Sequence, residues 1–193
     1  MSTQPKHFYT LEEYYQLVKT SEEKYEYWNG QVFLMSGGTR THAFISDNLQ
    51  KTISNQLSDR CRVFSSGMAI KVPTAPPFRY ADLSVACNQL RFEEIGGIDT
   101  LVNPILIIEV LSPSSQYYDQ GAKFSFYQSI PSFREYLLVE QNQPRIIQYV
   151  KQDDGTWTPM EISGLESTLV LPSIDCTLAF SDVYQDVVFS NQD

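Results

Sequence analysis

Apolar and polar positions fall into short blocks separated by turn signals, with no internal repeat, low-complexity tract or linker. Thr10, followed three residues later by Glu13, is a capping-box pattern that predicts a first helix to about Lys19. Asn29-Gly30 is a hairpin signal. A two-residue loop there pairs Glu26 with Phe33 and Tyr25 with Leu34, and puts Glu26 on one face with Trp28, Phe33 and Met35. After the Gly37-Gly38 turn, Thr39 or Thr41 caps a helix to about Ser58, with Ile45, Leu49, Thr52 or Ile53, and Gln56 or Leu57 at helical spacing. His42 lies one turn before that stripe.

Strands are predicted at 62–66, 68–72, 80–86 and 105–111. The last reads Ile105-Leu106-Ile107-Ile108-Glu109-Val110-Leu111, the near-continuous apolar run of a sheet centre covered on both sides. A second long helix fits 115–129 and is closed by Pro131. Strands follow at 134–140, 145–150 and 156–162, the last two joined around Asp154-Gly155. Strands flanked by two long helices give an α/β or α+β fold, read as one domain over 1–193 with a disordered tail from about residue 187.

Hydrophobic residues make up 42% of the 193 and aromatics 13%, enough for a packed core and too many for a disordered chain. The longest apolar run, around 105–111, is far shorter than the roughly 20 residues that span a bilayer. The N-terminus lacks a charged-then-apolar signal pattern, so no membrane association and a cytoplasmic location are expected. Cys61, Cys87 and Cys176 are odd in number and form no C-x-x-C pair, and they are read as reduced core thiols rather than a disulfide framework or zinc cage.

A net charge of −9 opposes phosphate binding at long range. Its distribution softens the objection, because residues 40–79 hold six basic side chains against two acids, while nothing after Lys151 is basic.

Glu109 interrupts a segment that should be dry, where an unpaired carboxylate is costly or stays protonated. Asp82, in the predicted strand 80–86, shares a face with Tyr80 and Ser84 while Ala81, Leu83 and Val85 point the other way. Two inward acids on neighbouring strands repel unless a cation lies between them, and oxygen ligands suit Mg²⁺ or Mn²⁺. Lys123 is four residues from both Asp119 and Tyr127, so the three share a helical face from which an ammonium reaches a metal-bound water. Glu26 adds a ligand or an outer acceptor. Scarce histidine, His7 and His42 alone, and the lack of a G-x-S-x-G elbow weigh against serine or cysteine hydrolases.

These residues resemble a known family. Lys24-Tyr25-Glu26-Tyr27-Trp28-Asn29-Gly30, the His42 helix start, Tyr80-Ala81-Asp82-Leu83-Ser84-Val85 and the stretch from Asn103-Pro104 through Glu109-Val110-Leu111-Ser112-Pro113-Ser114 are similar to the Uma-two restriction-endonuclease-like family, or domain of unknown function 820, within the PD-(D/E)XK superfamily. The likeness continues through Tyr118-Asp119-Gln120-Gly121-Ala122-Lys123, Tyr127 and 130–139. It implies a restriction-endonuclease-like mixed central sheet flanked by helices, to which the predicted strands 145–150 and 156–162 add extra C-terminal antiparallel strands, and divalent-metal binding by Asp82 and Glu109. Ala81 stands where the family often has proline. The superfamily's Glu-x-Lys reads Glu109-Val110-Leu111 here, which leaves Lys123, on the following helix, as the candidate lysine.

The expected activity is metal-dependent endonucleolytic cleavage of DNA, with Glu26, Asp82, Glu109 and Lys123 as catalytic residues. Asp82, Glu109 and Glu26 are its expected metal-holding set. A homodimer is expected from the two antiparallel strands of a duplex. The competing expectation is a binding module on the same fold with structural acids. Base recognition would fall to loops at 73–79 and 91–102.

Overall fold

The Thr10 capping box forms as its spacing predicts: Thr10 Oγ1 accepts from the Glu13 N–H at 3.2 Å and the Glu13 carboxylate accepts from the Thr10 N–H at 2.7 Å. It opens α1 (Leu11–Thr20) in the computed structural model, which describes residues 7–35, 37–113 and 115–189. Strands β1 (Tyr25–Trp28) and β2 (Gln31–Leu34) pair in the expected register, Glu26 opposite Phe33 and Tyr25 opposite Leu34. Asn29 and Gly30 both take positive φ, 47° and 78°, as a hairpin turn matched to strand twist requires. Thr39 caps α2 (Arg40–Ser54), which buries Ile45, Leu49 and Ile53 along one stripe.

The chain continues through β3 (Cys61–Ser65), β4 (Ala69–Ile70), β5 (Arg79–Tyr80), β6 (Leu83–Cys87), β7 (Phe92–Ile95), β8 (Ile98–Leu101) and β9 (Leu106–Leu111). The next helix is composite: α3 (Gln116–Tyr118) runs through a π-helical turn, Asp119–Lys123, into α4 (Phe124–Tyr127). After it come β10 (Glu135–Glu140), β11 (Arg145–Lys151), β12 (Trp157–Ser163), β13 (Thr168–Leu171), β14 (Cys176–Ala179) and α5 (Phe180–Val183).

Six strands form the central sheet in the order β12-β11-β10-β9-β6-β3. Only β9 and β10 run parallel, joined by the composite helix as a parallel connection requires, and the other neighbours are antiparallel. Strand alternation divides the core. Leu83, Val85, Leu106, Ile108 and Val110 face the cluster built with α2, α5 and β13–β14, whereas Ile107, Leu111, Tyr136 and Leu138 face the cluster built with α4. A smaller cluster around Tyr14, Phe78 and Tyr80 joins α1 and the hairpin to a second sheet, β5-β4-β8-β7. This is the mixed sheet with flanking helices that the sequence resemblance implies, with the added C-terminal antiparallel strands.

Four expectations change. The predicted strand 80–86 divides at Ala81-Asp82, because β5 belongs to the small sheet and β6 to the central one. The predicted loop 91–102 folds as the β7–β8 hairpin, turned by Gly96 and Gly97 at φ 61° and 86°; its charged strands carry too little apolar alternation to announce it. Cys61 and Cys87 are not reduced thiols: they are Cα partners across β3 and β6, 4.0 Å apart, and form a disulfide. A contact between residues 26 apart arises from strand pairing, which cysteine spacing does not encode. Cys176 is free and buried, as expected. Finally, Val187 and Phe189 pack against the first cluster where a disordered tail was expected to begin; 190–193 lie outside the described residues. No described helix is long and apolar enough to cross a membrane.

Candidate active site

The pairing of β6 with β9 ends at Leu83 opposite Ile108; Glu109 is the next residue of β9, and Asp82 lies in the bend immediately before β6. By alternation both lie on the α4 side of the sheet, with Ser84 and Ile107. Asp82 Oδ2 accepts from the Val110 N–H at 2.7 Å and lies 3.2 Å from His42 Nε2. Glu109, 3% exposed, has its Oε1 2.8 Å from Lys123 Nζ and accepts there from the Tyr127 hydroxyl at 3.1 Å. Lys123 also meets Asp119, one turn back, at 3.5 Å. The composite helix thus turns Asp119, Lys123 and Tyr127 toward the strand, as their shared spacing predicts; wide turns of this kind recur where a helix must place functional groups.

Glu26 reaches the same region from the hairpin. Its Oε1 accepts from the Tyr80 N–H at 3.0 Å, while the Tyr80 carbonyl lies 3.4 Å from the Tyr127 hydroxyl. Both backbone polar groups of Tyr80, its N–H and its C=O, are therefore tied to site residues, two positions before Asp82.

Burial raises Glu109 well above the usual carboxylate range, with the charge of Lys123 pulling against it and those of Asp119 and Asp82 adding to it. Burial also raises Asp119, again opposed by Lys123. For Lys123 burial favours the neutral amine, but Glu109, Glu26 and Asp119 outweigh it and hold the group well above an ordinary lysine. Tyr127, raised by burial and by Glu109, stays a hydrogen-bond donor. His42 is raised chiefly by its hydrogen bond to Asp82, with burial opposing.

Do these groups suit a divalent cation? Glu26, Asp82, Glu109 and Asp119 lie within electrostatic reach of one another's surroundings, against two fixed cations, Lys123 and the fully buried Arg79. The donors are hard oxygens, and the bonds described use only one oxygen each of Asp82 and Glu109. Among the described residues, however, no three His, Cys, Asp or Glu side chains converge to hold an ion. One Glu26 oxygen is occupied by the Tyr80 backbone N–H. The fit is to Mg²⁺, which takes one or two protein carboxylates and fills its remaining positions with water and substrate phosphate.

Two residues outside the expected set belong to this constellation. His42, read as a helix-start residue, contacts Asp82 because α2 begins at the sheet end where Asp82 emerges. Arg79 donates to the Phe78 carbonyl at 2.7 Å and sits 5.6 Å from the centre of the Phe126 ring; no apolar or polar pattern around it betrays its burial. A third buried acid, Glu135, lies apart. It accepts from Gln148 Nε2 at 2.5 Å and from the Ser173 N–H at 3.1 Å, a structural role that ties β10 to β11 and the loop before β14.

Comparison with known proteins bears on the fold and the family. A structure described as "a putative nuclease belonging to DUF820" from Anabaena variabilis superposes with a TM-score of 0.71 at 17% identity, covering 89% of this chain and 97% of that one. At that identity it speaks for the fold. Two relatives come from Synechocystis sp., both named as uncharacterized proteins: slr1290 is 33% identical over 92% of each chain, and sll1609 is 31% identical over 80% of this chain and 88% of its own. The sequence profile of the Uma2 family, described as "Putative restriction endonuclease", matches residues 11–181. The fold, the acids at the sheet end and this match across most of the length lead to one conclusion: the chain belongs to the Uma2 family.

Proposed function

We propose that this protein is a divalent-metal-dependent endonuclease that hydrolyses DNA phosphodiester bonds. The observation that carries the reading is the meeting of Asp82 and Glu109 on one sheet face with Lys123 Nζ 2.8 Å from Glu109.

Asp82 and Glu109 would hold Mg²⁺ or Mn²⁺, and the ion would supply Lewis-acid polarisation of the phosphate and acidification of the attacking water. Lys123, 2.8 Å from Glu109 and 3.5 Å from Asp119, would set its amine beside the ligand carboxylates, where it orients or deprotonates the attacking water. Tyr127 fixes Glu109 by its hydroxyl, and Glu26, through the Tyr80 amide, fixes the strand that delivers Asp82. Glu26 is thus a positioning residue in this scheme.

Cleavage of supercoiled plasmid or of single-stranded circular DNA in Mg²⁺ or Mn²⁺ tests the proposal. Wild type should nick, while Asp82→Asn and Glu109→Gln should fold and fall to background; equal activity in the variants would defeat it. If the substrate is a duplex, two antiparallel strands call for two sites, and sedimentation should then find a homodimer.

A second reading draws on the same contacts. His42 beside Asp82 and Lys123 beside Glu109 satisfy both acids without any ion, as a binding module on a nuclease fold would need. Calorimetric titration with Mn²⁺ separates the two, since a module of that kind should give no binding heat.

A further inference from the structure

The Glu26 face of the β1–β2 hairpin carries two rings that the core does not take up. Trp28 is 43% and Phe33 45% exposed; Phe33 stands opposite Glu26, and Trp28 follows it two residues on, so all three share a face. The Trp28 ring lies 5.6 Å from that of Tyr118, inclined at 41°. The Tyr118 ring lies in turn 6.0 Å from Lys123 Nζ, which is 2.8 Å from Glu109. An aromatic path therefore runs from solvent to the candidate catalytic carboxylate.

Charge narrows what could occupy it. The chain carries −9 overall, so binding driven by many phosphate contacts is disfavoured. A duplex hides its base faces and offers mostly phosphates and groove edges. A single strand offers the faces themselves, and these stack on aromatic side chains whatever the sequence.

We infer that Trp28 and Phe33, backed by Tyr118, form a stacking platform for unpaired bases next to the scissile bond, which makes single-stranded DNA the substrate class. The inference rests on the nuclease reading for its cleavage step, but its binding step is measured separately. A single strand needs one active site, so it also lifts the requirement for two opposed copies.

Trp28 and Trp157 are the two tryptophans, and Trp157 packs within the aromatic cluster around Phe124 and Phe133, so in Trp157→Phe the platform reports alone. If that variant fails to fold, the difference between wild type and Trp28→Phe gives the same signal. Titration with a 15-mer of thymidylate in EDTA, where cleavage is stopped, should quench Trp28, with binding roughly ten-fold weaker in Trp28→Ala and retained in Trp28→Phe. A duplex of equal length should bind at least about ten-fold more weakly, and the slope of log affinity against log salt should be shallow, about −1 to −2. Equal affinity in Trp28→Ala, tighter duplex binding, or no binding at all overturns the platform. So does a wild-type dimer that Trp28→Ala dissociates, which would assign the face to a second copy. Binding without metal-dependent cleavage of the same oligonucleotide counts against the nuclease reading alone; cleavage of plasmid without thymidylate binding counts against the platform alone.

Discussion

The backbone N–H of Val110 donates to Asp82 Oδ2 at 2.7 Å, so the residue that follows one candidate ligand fixes the other. Glu109 and Asp82 are thereby locked in register where the β6–β9 pairing ends. Asparagine at 82 keeps an acceptor for that amide and removes the charge, whereas alanine leaves the amide without its partner. Asp82→Asn should keep that hydrogen bond and lose metal-dependent activity; Asp82→Ala should lose both, with about 1–3 kcal/mol more stability lost than in Asp82→Asn. Urea unfolding beside a nicking assay checks the separation.

Glu109 and Lys123 form a pair in which both side chains are under a tenth exposed. Removing either partner strands the other in a dry interior. Glu109→Gln and Lys123→Met should each destabilise by on the order of 3 kcal/mol. The double variant should lose less than the sum of the two, by about 1 kcal/mol or more. Additive losses in a double-mutant cycle would mean the pair is not coupled as its geometry requires.

The contact between His42 and Asp82 makes stability depend on pH. The folded-state pKa of His42 lies above the ordinary histidine value of 6.5, chiefly through Asp82, so the folded form binds its proton more tightly than the unfolded chain. That contribution is complete below the unfolded value and fades as pH rises through the folded one. His42→Asn should therefore cost more stability at about pH 5.5 than at about pH 9, and a pH series of denaturant midpoints reads the difference directly.

The disulfide between Cys61 and Cys87 closes a separation of 26 residues and ties edge strand β3 to β6, which leads out of Asp82. Reduction, or Cys61→Ser with Cys87→Ser, should lower stability by about 2–4 kcal/mol. Thiol titration of the unfolded, unreduced chain should find one reactive group, Cys176, where full reduction finds three.

Glu109 was legible because one acid among six apolar neighbours breaks a pattern, and alternation alone placed Asp82 on the matching side. Lys123 was legible from its spacing to Asp119 and Tyr127, which the π-helical turn preserves as convergence on Glu109. The Glu26 hairpin was legible in full, since Asn29-Gly30 fixes its register. What escaped is what long-range packing decides. No local signal says that α2 starts beside Asp82, that Arg79 is wholly buried under Phe126, or that strand pairing sets Cys61 against Cys87. The division of 80–86 between two sheets escaped for the same reason, and with it the side taken by Ala81, which packs in the α4-side cluster rather than with Leu83 and Val85 as strict alternation predicts.

Lys123 is borne by the helix, and the strand position two residues after Glu109 is Leu111, buried in the α4-side cluster. Phe124, next to Lys123, stacks on Tyr136 of β10 with ring centres 5.0 Å apart and planes 4° from parallel. That stacked pair acts as a spacer between helix and sheet: a bulkier or smaller ring at either place would lift or drop the ammonium relative to its carboxylate, so the reach of the charged tip is gauged by the hydrocarbon packed beside it.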